Sequence, residues 1–377
     1  MKKLSLSIGI VLMVILSVIV VITYLNRTPG VIKIGHIARL TGDDAIWGRW
    51  EDEGINLAVQ EINMRGGILG RKIEIIDEDD RGDPEVAVSA LQKLITVNGV
   101  QAVIGATLSS PTLACAPIAN QNKVVMISPS AQSPKLSEAG PYVFKLFVSS
   151  AIEGKHLVEV AERYHVQRVA IMYLNNDYGL GLEEVINNLL STNGVRVVDT
   201  ESYSSQESDF RTQISKIQSE SPDAMFLLGY PTDMGLILVQ AKQLGLHVRI
   251  FAPDSFEAED ILKTADGAAN GVIYVYPILP SSDLYARVDS EFYSKYQRHM
   301  NIYNGMGFDA IQILSQAIEQ SVKATGKIDG QDIKNALYGI KDFAGVTGPI
   351  SFDANGWVLD RPMEARIVIN GKFTTLK

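Results

Sequence analysis

The chain has 377 residues, more than a single hydrophobic core usually organises, so two domains are expected. Its hydrophobic content of 46% is ample for packed cores. A formal net charge of −9, with no Lys/Arg-rich run, excludes nucleic acid as a partner, because phosphates need a basic face.

The first 30 residues stand apart. Lys2 and Lys3 precede Leu4–Leu25, a run of 22 residues without a charge. At 1.5 Å per residue such a helix crosses a hydrocarbon core of about 30 Å. A cleaved secretory signal has a shorter apolar region, about 7 to 15 residues, followed by small residues of the A-x-A kind. The stretch "VVITYLNRTPG" offers no such site, so residues 1–30 read as a membrane anchor in preference to a cleaved signal. In either case the lysines stay in the cytoplasm and everything after Asn26 is exported. The chain is therefore expected outside the cytoplasmic membrane, held to it by residues 4–25.

Strand and helix signals then alternate. "VIKIGHIA" reads as a strand, "EDEGINLAVQEINMRGG" as a helix stopped by Gly66 and Gly67, and "RKIEIIDED" as the next strand. Asp83-Pro84 supplies an N-cap and first-turn proline for a helix to Val97, and a strand follows at Ala102. After residue 150 the rhythm resumes: helix 152–164, strand "RVAIMYL", helix 179–192, strand "VRVVDTESY", helix 209–219, strand "DAMFLLGY", helix 233–244. Strands separated by helices of this length imply parallel sheets with right-handed crossovers. Cys115, the single cysteine, lies in "PTLACAPIANQ", where a helix packs on a sheet, and reads as a small buried side chain.

In such sheets ligands bind beyond the carboxyl ends of the strands. Four loops occupy those places: "GATLSSPT", "ISPSAQSP", "LNNDYGLG" and "LGYPTDMG", all rich in hydroxyls, Tyr or Gly. Ordinary turns and helix caps use the same residue types, so each loop alone is ambiguous, and the four together are the signal. Phosphate-loop, zinc-hydrolase and nucleophile-elbow signatures are missing, and the five histidines are scattered without ligand spacing. The acidic run Asp77–Asp80 reads as a strand end leading to the Asp83 cap, and "FDANGW" as a turn lacking the carboxylates of a calcium loop. No metal, no cofactor and no catalytic residue is expected.

From Val31 nearly to its end, the chain resembles the leucine/isoleucine/valine-binding proteins, type I periplasmic binding proteins that serve ABC transporters. The motifs that carry the resemblance are "IKIGHIARLTGDDAIWG", "GINLAVQEINMRGGILGRKIEIIDEDDRGDP", "VIGATLSSPTLACAPIA", "VVMISPSAQSPKLS", "NDYGLGL", "GYPTDMGLILVQAKQLGL" and "VTGPISFDANG". It implies two Rossmann-like α/β lobes with parallel central sheets and three crossing strands as hinge, near Val148, Pro277 and Pro349. Lobe 1 is then 31–148 with 277–349, and lobe 2 is 149–276 with 350–377. It also implies closure on a small polar ligand, an amino acid of the branched-chain type, and a membrane permease as partner. Relatives of this fold also bind amides, urea or organic acids, and a sensing ectodomain working with a signalling partner is the alternative output.

The site residues implied by the resemblance are Ser109, with Ser130, Ala131 and Gln132 of the "SPSAQ" loop, for a carboxylate, and Tyr230 and Asp254 for an ammonium. Tyr178 is a further pocket tyrosine, and Trp47 covers the pocket from the first lobe. Gln132 departs from the family's Thr, and Asp254 from its Glu. The disulfide of the best-known member has no counterpart, since Gly82 and Leu108 stand at its positions. Physical chemistry points the same way. A helix N-terminus near Pro111 presents unpaired N–H groups and partial positive charge to an anion, while Tyr230 and Asp254 suit a cation. A receptor split in this way between lobes is satisfied only when closed.

Overall fold

Residues 30–359 and 361–376 are described by a computed structural model. The anchor read at Leu4–Leu25 lies outside them, and among the described residues no helix is long and apolar enough to cross a membrane.

The first lobe opens with β1 (Ile32–Ala38), whose side chains are nearly all buried. α1 (Ile46–Met64) begins earlier than its charged stretch suggested, because Trp47, Glu51, Gly54, Ile55 and Ala58 form one continuous buried face. β2 (Ile73–Asp79) follows, then α2 (Pro84–Lys93), capped by the Asp83 carboxylate on the N–H groups of Glu85 and Val86. The chain does not continue as α-helix to Val97. It widens into one π turn over 94–98, which ends at Gly99 in the left-handed region at φ 71°.

β3 (Ala102–Gly105), α3 (Ser109–Asn122), β4 (Val125–Ser128) and β5 (Val143–Lys145) complete a parallel sheet of order β2-β1-β3-β4-β5. Cys115 is buried in α3, where burial pushes its thiol up to about 12.

The second lobe is built from α4 (Ser150–Glu162), β6 (Arg168–Leu174), α5 (Asp177–Thr192), β7 (Arg196–Tyr203), α6 (Arg211–Ser219), β8 (Ala224–Leu228), α7 (Pro231–Gln243), β9 (Arg249–Ala252), α8 (Glu259–Thr264) and β10 (Ile273–Pro277). The chain then returns to the first lobe for α9 (Asp283–Tyr296), α10 (Ile302–Thr325), α11 (Gly330–Gly339) and the antiparallel pair β11 (Phe343–Gly345) and β12 (Gly348–Ile350). It ends in the second lobe with β13 (Met363–Ile369) and β14 (Lys372–Thr375). The second sheet has the order β14-β13-β10-β9-β8-β6-β7, parallel from β10 to β7 and antiparallel at β13 and β14.

α10 lies against α1 at backbone distance. A Cβ on Gly54 would stand 1.9 Å from the Asn304 carbonyl oxygen, and one on Gly307 would stand 2.2 Å from that of Glu51. Only glycine fits at either place, and this contact fixes Tyr303 and Glu51 relative to one another.

Val148 lies in the passage from β5 to α4, and Pro277 ends β10. Pro349 sits within the β11–β12 hairpin, and the chain stays with the first lobe beyond it, since Trp357 bridges Lys145 and Val358 bridges Phe352. The third passage therefore falls between Val358 and Met363. Arg361 holds it by donating Nε to the Leu146 carbonyl at 3.1 Å, and the Ile278 N–H joins it to the second passage through the Pro362 carbonyl at 2.9 Å.

Candidate ligand-binding site

Both lobes turn the carboxyl ends of their strands toward a shared cleft. In the first lobe the strand order doubles back at β1 and β3, and the chain leaving β3 carries Thr107, Leu108 and Ser109 into the start of α3. The loop after β4 carries Ser130 and Gln132. In the second lobe Tyr178 follows β6, Tyr230 immediately precedes α7, and Asp254 and Ser255 follow β9. These are the topological switch points at which open α/β sheets hold ligands.

The cavity between the lobes is lined by Trp47, Thr107, Leu108, Ser109, Ser130, Gln132, Tyr178, Tyr230, Ser255 and Tyr303. Its apolar wall is aromatic. Tyr178 and Tyr230 stack at 5.6 Å with their planes 7° apart, Trp47 meets Tyr230 edge-on at 4.9 Å, and Tyr303 lies 6.2 Å from Trp47. Among the described residues no basic side chain lines the cavity.

The polar groups fall into two sets. At the first turn of α3, Ser109 Oγ accepts the N–H groups of Gln132 at 3.2 Å and Ser133 at 3.1 Å, so its own proton remains to be donated. Pro111 has no N–H, the Thr112 N–H bonds the Leu108 carbonyl at 3.1 Å, and those of Ser109 and Ser110 have no partner within the helix. The other set is acidic. The buried Asp254 carboxylate accepts from Tyr303 Oη at 2.6 Å and from Gln132 Nε2 at 3.1 Å, while the Asp254 N–H donates to Glu153 at 2.7 Å. Burial, reinforced by the neighbouring Asp254, holds the Glu153 carboxyl well above the usual range. Glu51, also fully buried, accepts from Thr107 and Ser130, and desolvation raises it to about 7.

Contacts across the rim hold the lobes together. Asp44 accepts the Thr232 N–H at 3.2 Å and its hydroxyl at 2.9 Å, Lys135 pairs with Asp177 at 3.1 Å, and Ser110 accepts the Asp177 N–H at 3.3 Å. The cleft is closed.

Of the residues expected at the site, Trp47, Ser109, Ser130, Gln132, Tyr178 and Tyr230 line the cavity. Ala131 does not. It is buried, with its N–H donated to Ser128 Oγ at 3.1 Å, and serves the shape of the loop. Asp254 lies one layer back, behind Gln132 and Tyr303. The Gln132 amide N–H, expected to meet a ligand carboxylate, goes instead to Asp254 on the opposite lobe, leaving Gln132 Oε1 without a partner among the described residues.

Leu108, Ser255 and Tyr303, with Glu51 and Glu153 behind them, were not expected from the sequence, whereas Thr107 belongs to the hydroxyl-rich loop "GATLSSPT" and, instead of facing an anion with its proton, donates it to Glu51. Leu108 and Ser255 each sit one residue from a predicted position, and the buried acids occur in phase with apolar residues on their helices.

The acidic run that closes β2 serves β1 and the loops after β1 and β2. Asp79 accepts from Leu40, Thr41 and Arg81, and Asp80 from Gly82, while Asp77 meets His36 Nδ1 at 2.8 Å.

Comparison with known proteins agrees with this architecture. The leucine-, isoleucine-, valine-, threonine- and alanine-binding protein of Pseudomonas aeruginosa is 29% identical over 332 residues, 86% of each chain. The leucine-specific-binding protein of Salmonella typhimurium is 31% identical over 248 residues, covering 65% of this chain and 67% of that one. Among solved structures, a leucine-binding protein of Thermotoga maritima superposes with a TM-score of 0.84 at 28% identity, over 92% of this chain and 98% of its own. The branched-chain amino acid transporter substrate-binding protein of Streptococcus pneumoniae, in complex with isoleucine, gives 0.81 at 27% identity over 92% and 99%. The sequence pattern described as periplasmic binding protein matches residues 31–371, and the chain belongs to that family.

Proposed function

We propose that the protein captures a small amino acid of the branched-chain type by closure of its two lobes and delivers it to an ABC importer. It would work outside the cytoplasmic membrane, tethered through Leu4–Leu25. The observation that carries this reading is the division of the cleft. The first lobe offers the start of α3 with the Ser109 hydroxyl to an anion, the second offers Tyr230, with Asp254 one layer behind the wall, to a cation, and among the described residues the aromatic wall between them carries no basic side chain. A ligand that satisfies both ends must carry both charges at a short separation. An aliphatic side chain would lie against Trp47, Tyr178, Tyr230 and Tyr303, burying apolar surface at roughly 25 cal/mol per Å². Relatives that bind leucine, isoleucine and valine support the same reading.

Ligand binding and closure are coupled, because only the closed cleft brings Tyr230 and Asp254 of the second lobe up to a ligand seated on the first. Only the liganded, closed protein then offers a permease both lobes in a fixed relation, which separates loaded from empty receptor. Thermal-shift screening against amino acids, amides and organic acids tests the assignment. A ligand at 100 times its Kd adds about 2.7 kcal/mol of stability. Stabilisation by branched-chain amino acids is expected, and stabilisation only by amides or by acids without an amine contradicts the reading.

A further inference from the structure

Two hydroxyls that line the cleft are committed from behind. Glu51, on the buried face of α1, takes one on each oxygen: Thr107 Oγ1 donates to Oε2 at 2.7 Å, and Ser130 Oγ donates to Oε1. A hydroxyl has a single proton to give. With both protons directed at Glu51, Thr107 and Ser130 turn only lone pairs toward the cavity, and a buried carboxylate stands behind them. This corner accepts hydrogen bonds and repels anions. Ser109, in the same cluster of loops, has the opposite polarity, since its oxygen is occupied by two backbone N–H groups and its proton is free.

We infer that Glu51 is a positioning residue that sets the polarity of Thr107 and Ser130, so that their corner of the cleft receives the ammonium of the bound amino acid while the Ser109 end receives its carboxylate. The inference rests on the amino-acid reading and adds the orientation of the ligand and the buried group that determines it. Without Glu51 the two hydroxyls would be free to donate, and the first lobe would not distinguish the two ends of a zwitterion.

The arrangement responds to protonation. A protonated Glu51 must donate to one of the hydroxyls it now accepts from. Ser130 then has the Thr107 carbonyl, 3.0 Å away, as the acceptor for its displaced proton. The carboxylate charge is lost and an acceptor of the corner is consumed. The titratable groups that face Glu51 are His36 of β1, which favours the carboxylate when charged, and Asp80 beyond β2, which opposes it. Burial outweighs both and brings the group to about 7. An ammonium placed against Thr107 and Ser130 therefore draws Glu51 toward its ionised form and expels a proton near neutral pH.

The test is calorimetric titration of the full chain and of Glu51→Gln with L-leucine, and with the other proteinogenic amino acids in turn should leucine fail. It is run at pH 6, 7 and 8 in buffers of different ionisation enthalpy. A Gln at this position accepts one hydroxyl and donates to the other, as protonated Glu51 would, so the carboxylate charge is lost and an acceptor of the corner is consumed. The expected result is about tenfold weaker binding by the variant at neutral pH, fewer protons released per ligand, and a parent-to-variant affinity ratio that grows from pH 6 to pH 8. Comparison with the variant isolates Glu51 from Glu153, which both proteins retain. Equal proton release, with a ratio that does not change with pH, overturns the inference and leaves the amino-acid reading standing. Failure of the parent to bind any amino acid overturns both. Should Glu51→Gln fail to fold, the side-chain carboxyl ¹³C resonance of Glu51 in the parent decides. A neutral titration that moves to lower pH on adding the amino acid supports the inference, and a titration that the amino acid does not move overturns it.

Discussion

Gln132 of the first lobe donates its side-chain amide to Asp254 of the second, Nε2 to Oδ1 at 3.1 Å, with both residues buried. The other Asp254 oxygen receives Tyr303 Oη at 2.6 Å. Two neutral donors thus hold a buried carboxylate in the closed cleft without neutralising its charge. A ligand ammonium can supply that charge, either by displacing the Gln132 amide or by approaching beside it.

Asp254→Asn is expected to weaken amino-acid binding by about 3 to 5 kcal/mol, the usual penalty for stranding one member of a buried ion pair, or roughly 150-fold to several thousand-fold in affinity. The introduced amide also confronts donors on two sides. Titration calorimetry reads the change directly, and an unaltered Kd would mean that the ammonium lies elsewhere.

Tyr303→Phe keeps the aromatic wall and removes one donor from Asp254. The predicted loss is about 1 to 3 kcal/mol of binding free energy, the cost of leaving a buried acceptor short of a partner. Fluorescence titration with leucine should show a weaker Kd at an unchanged stoichiometry. Parent-like affinity would show that Gln132 suffices to hold the carboxylate.

Ser109→Ala acts twice. It deprives the ligand carboxylate of a donor, and it removes the acceptor for the Gln132 and Ser133 N–H groups, which keeps the loop after β4 against α3. About 1 to 3 kcal/mol should be lost from the stability of the ligand-free protein as well as from binding. Denaturant unfolding without ligand separates the two effects. A variant that loses affinity with no loss of stability would contradict the loop-holding role.

Glu153 gives a pH signature. Its folded-state pKa lies above that of the unfolded chain, where a glutamate ionises at about pH 4.3, so folding takes up a proton across the interval between them. The contribution to stability is fully present at acid pH and is lost as pH rises through that interval. Glu153→Gln retains an oxygen for the Asp254 N–H and has no proton to lose. Thermal midpoints measured from pH 4 to 8 should therefore show the variant gaining on the parent as pH rises, whereas a constant difference would contradict a protonated Glu153.

The alternation of strands and helices was legible because each element carries its own punctuation. Asp83-Pro84 starts one helix and Gly66-Gly67 end another, while β6 has the bounds of its apolar run. Trp47, Ser109, Ser130, Gln132, Tyr178 and Tyr230 were found because they belong to motifs at strand ends or in the helix that follows the first strand. Tyr303 was not, since it enters from the return segment at the start of α10 and reaches Asp254 only through folding.

Glu51 and Glu153 look like solvated helical charges until their phase is examined. Glu51 falls in line with Trp47, Ile55 and Ala58, and Glu153 with Ser150 and Leu157, on faces that are otherwise buried. An acidic residue on an apolar helical stripe was the available signal. Pro349 misled because a proline-containing turn in a hairpin resembles a strand passage, and the later anchoring of Trp357 on Lys145 depends on long-range pairing.

The central claim is that the cleft recognises both poles of one small zwitterion. Titration with L-leucine, with 4-methylpentanoate, which lacks the amine, and with 3-methylbutylamine, which lacks the carboxylate, tests it most directly. The aliphatic part is common to all three, so differences report the polar ends. Leucine should bind, while each analogue should be at least about 100-fold weaker, because each leaves one buried set of polar groups unsatisfied. Binding of 4-methylpentanoate as tight as that of leucine would contradict the claim.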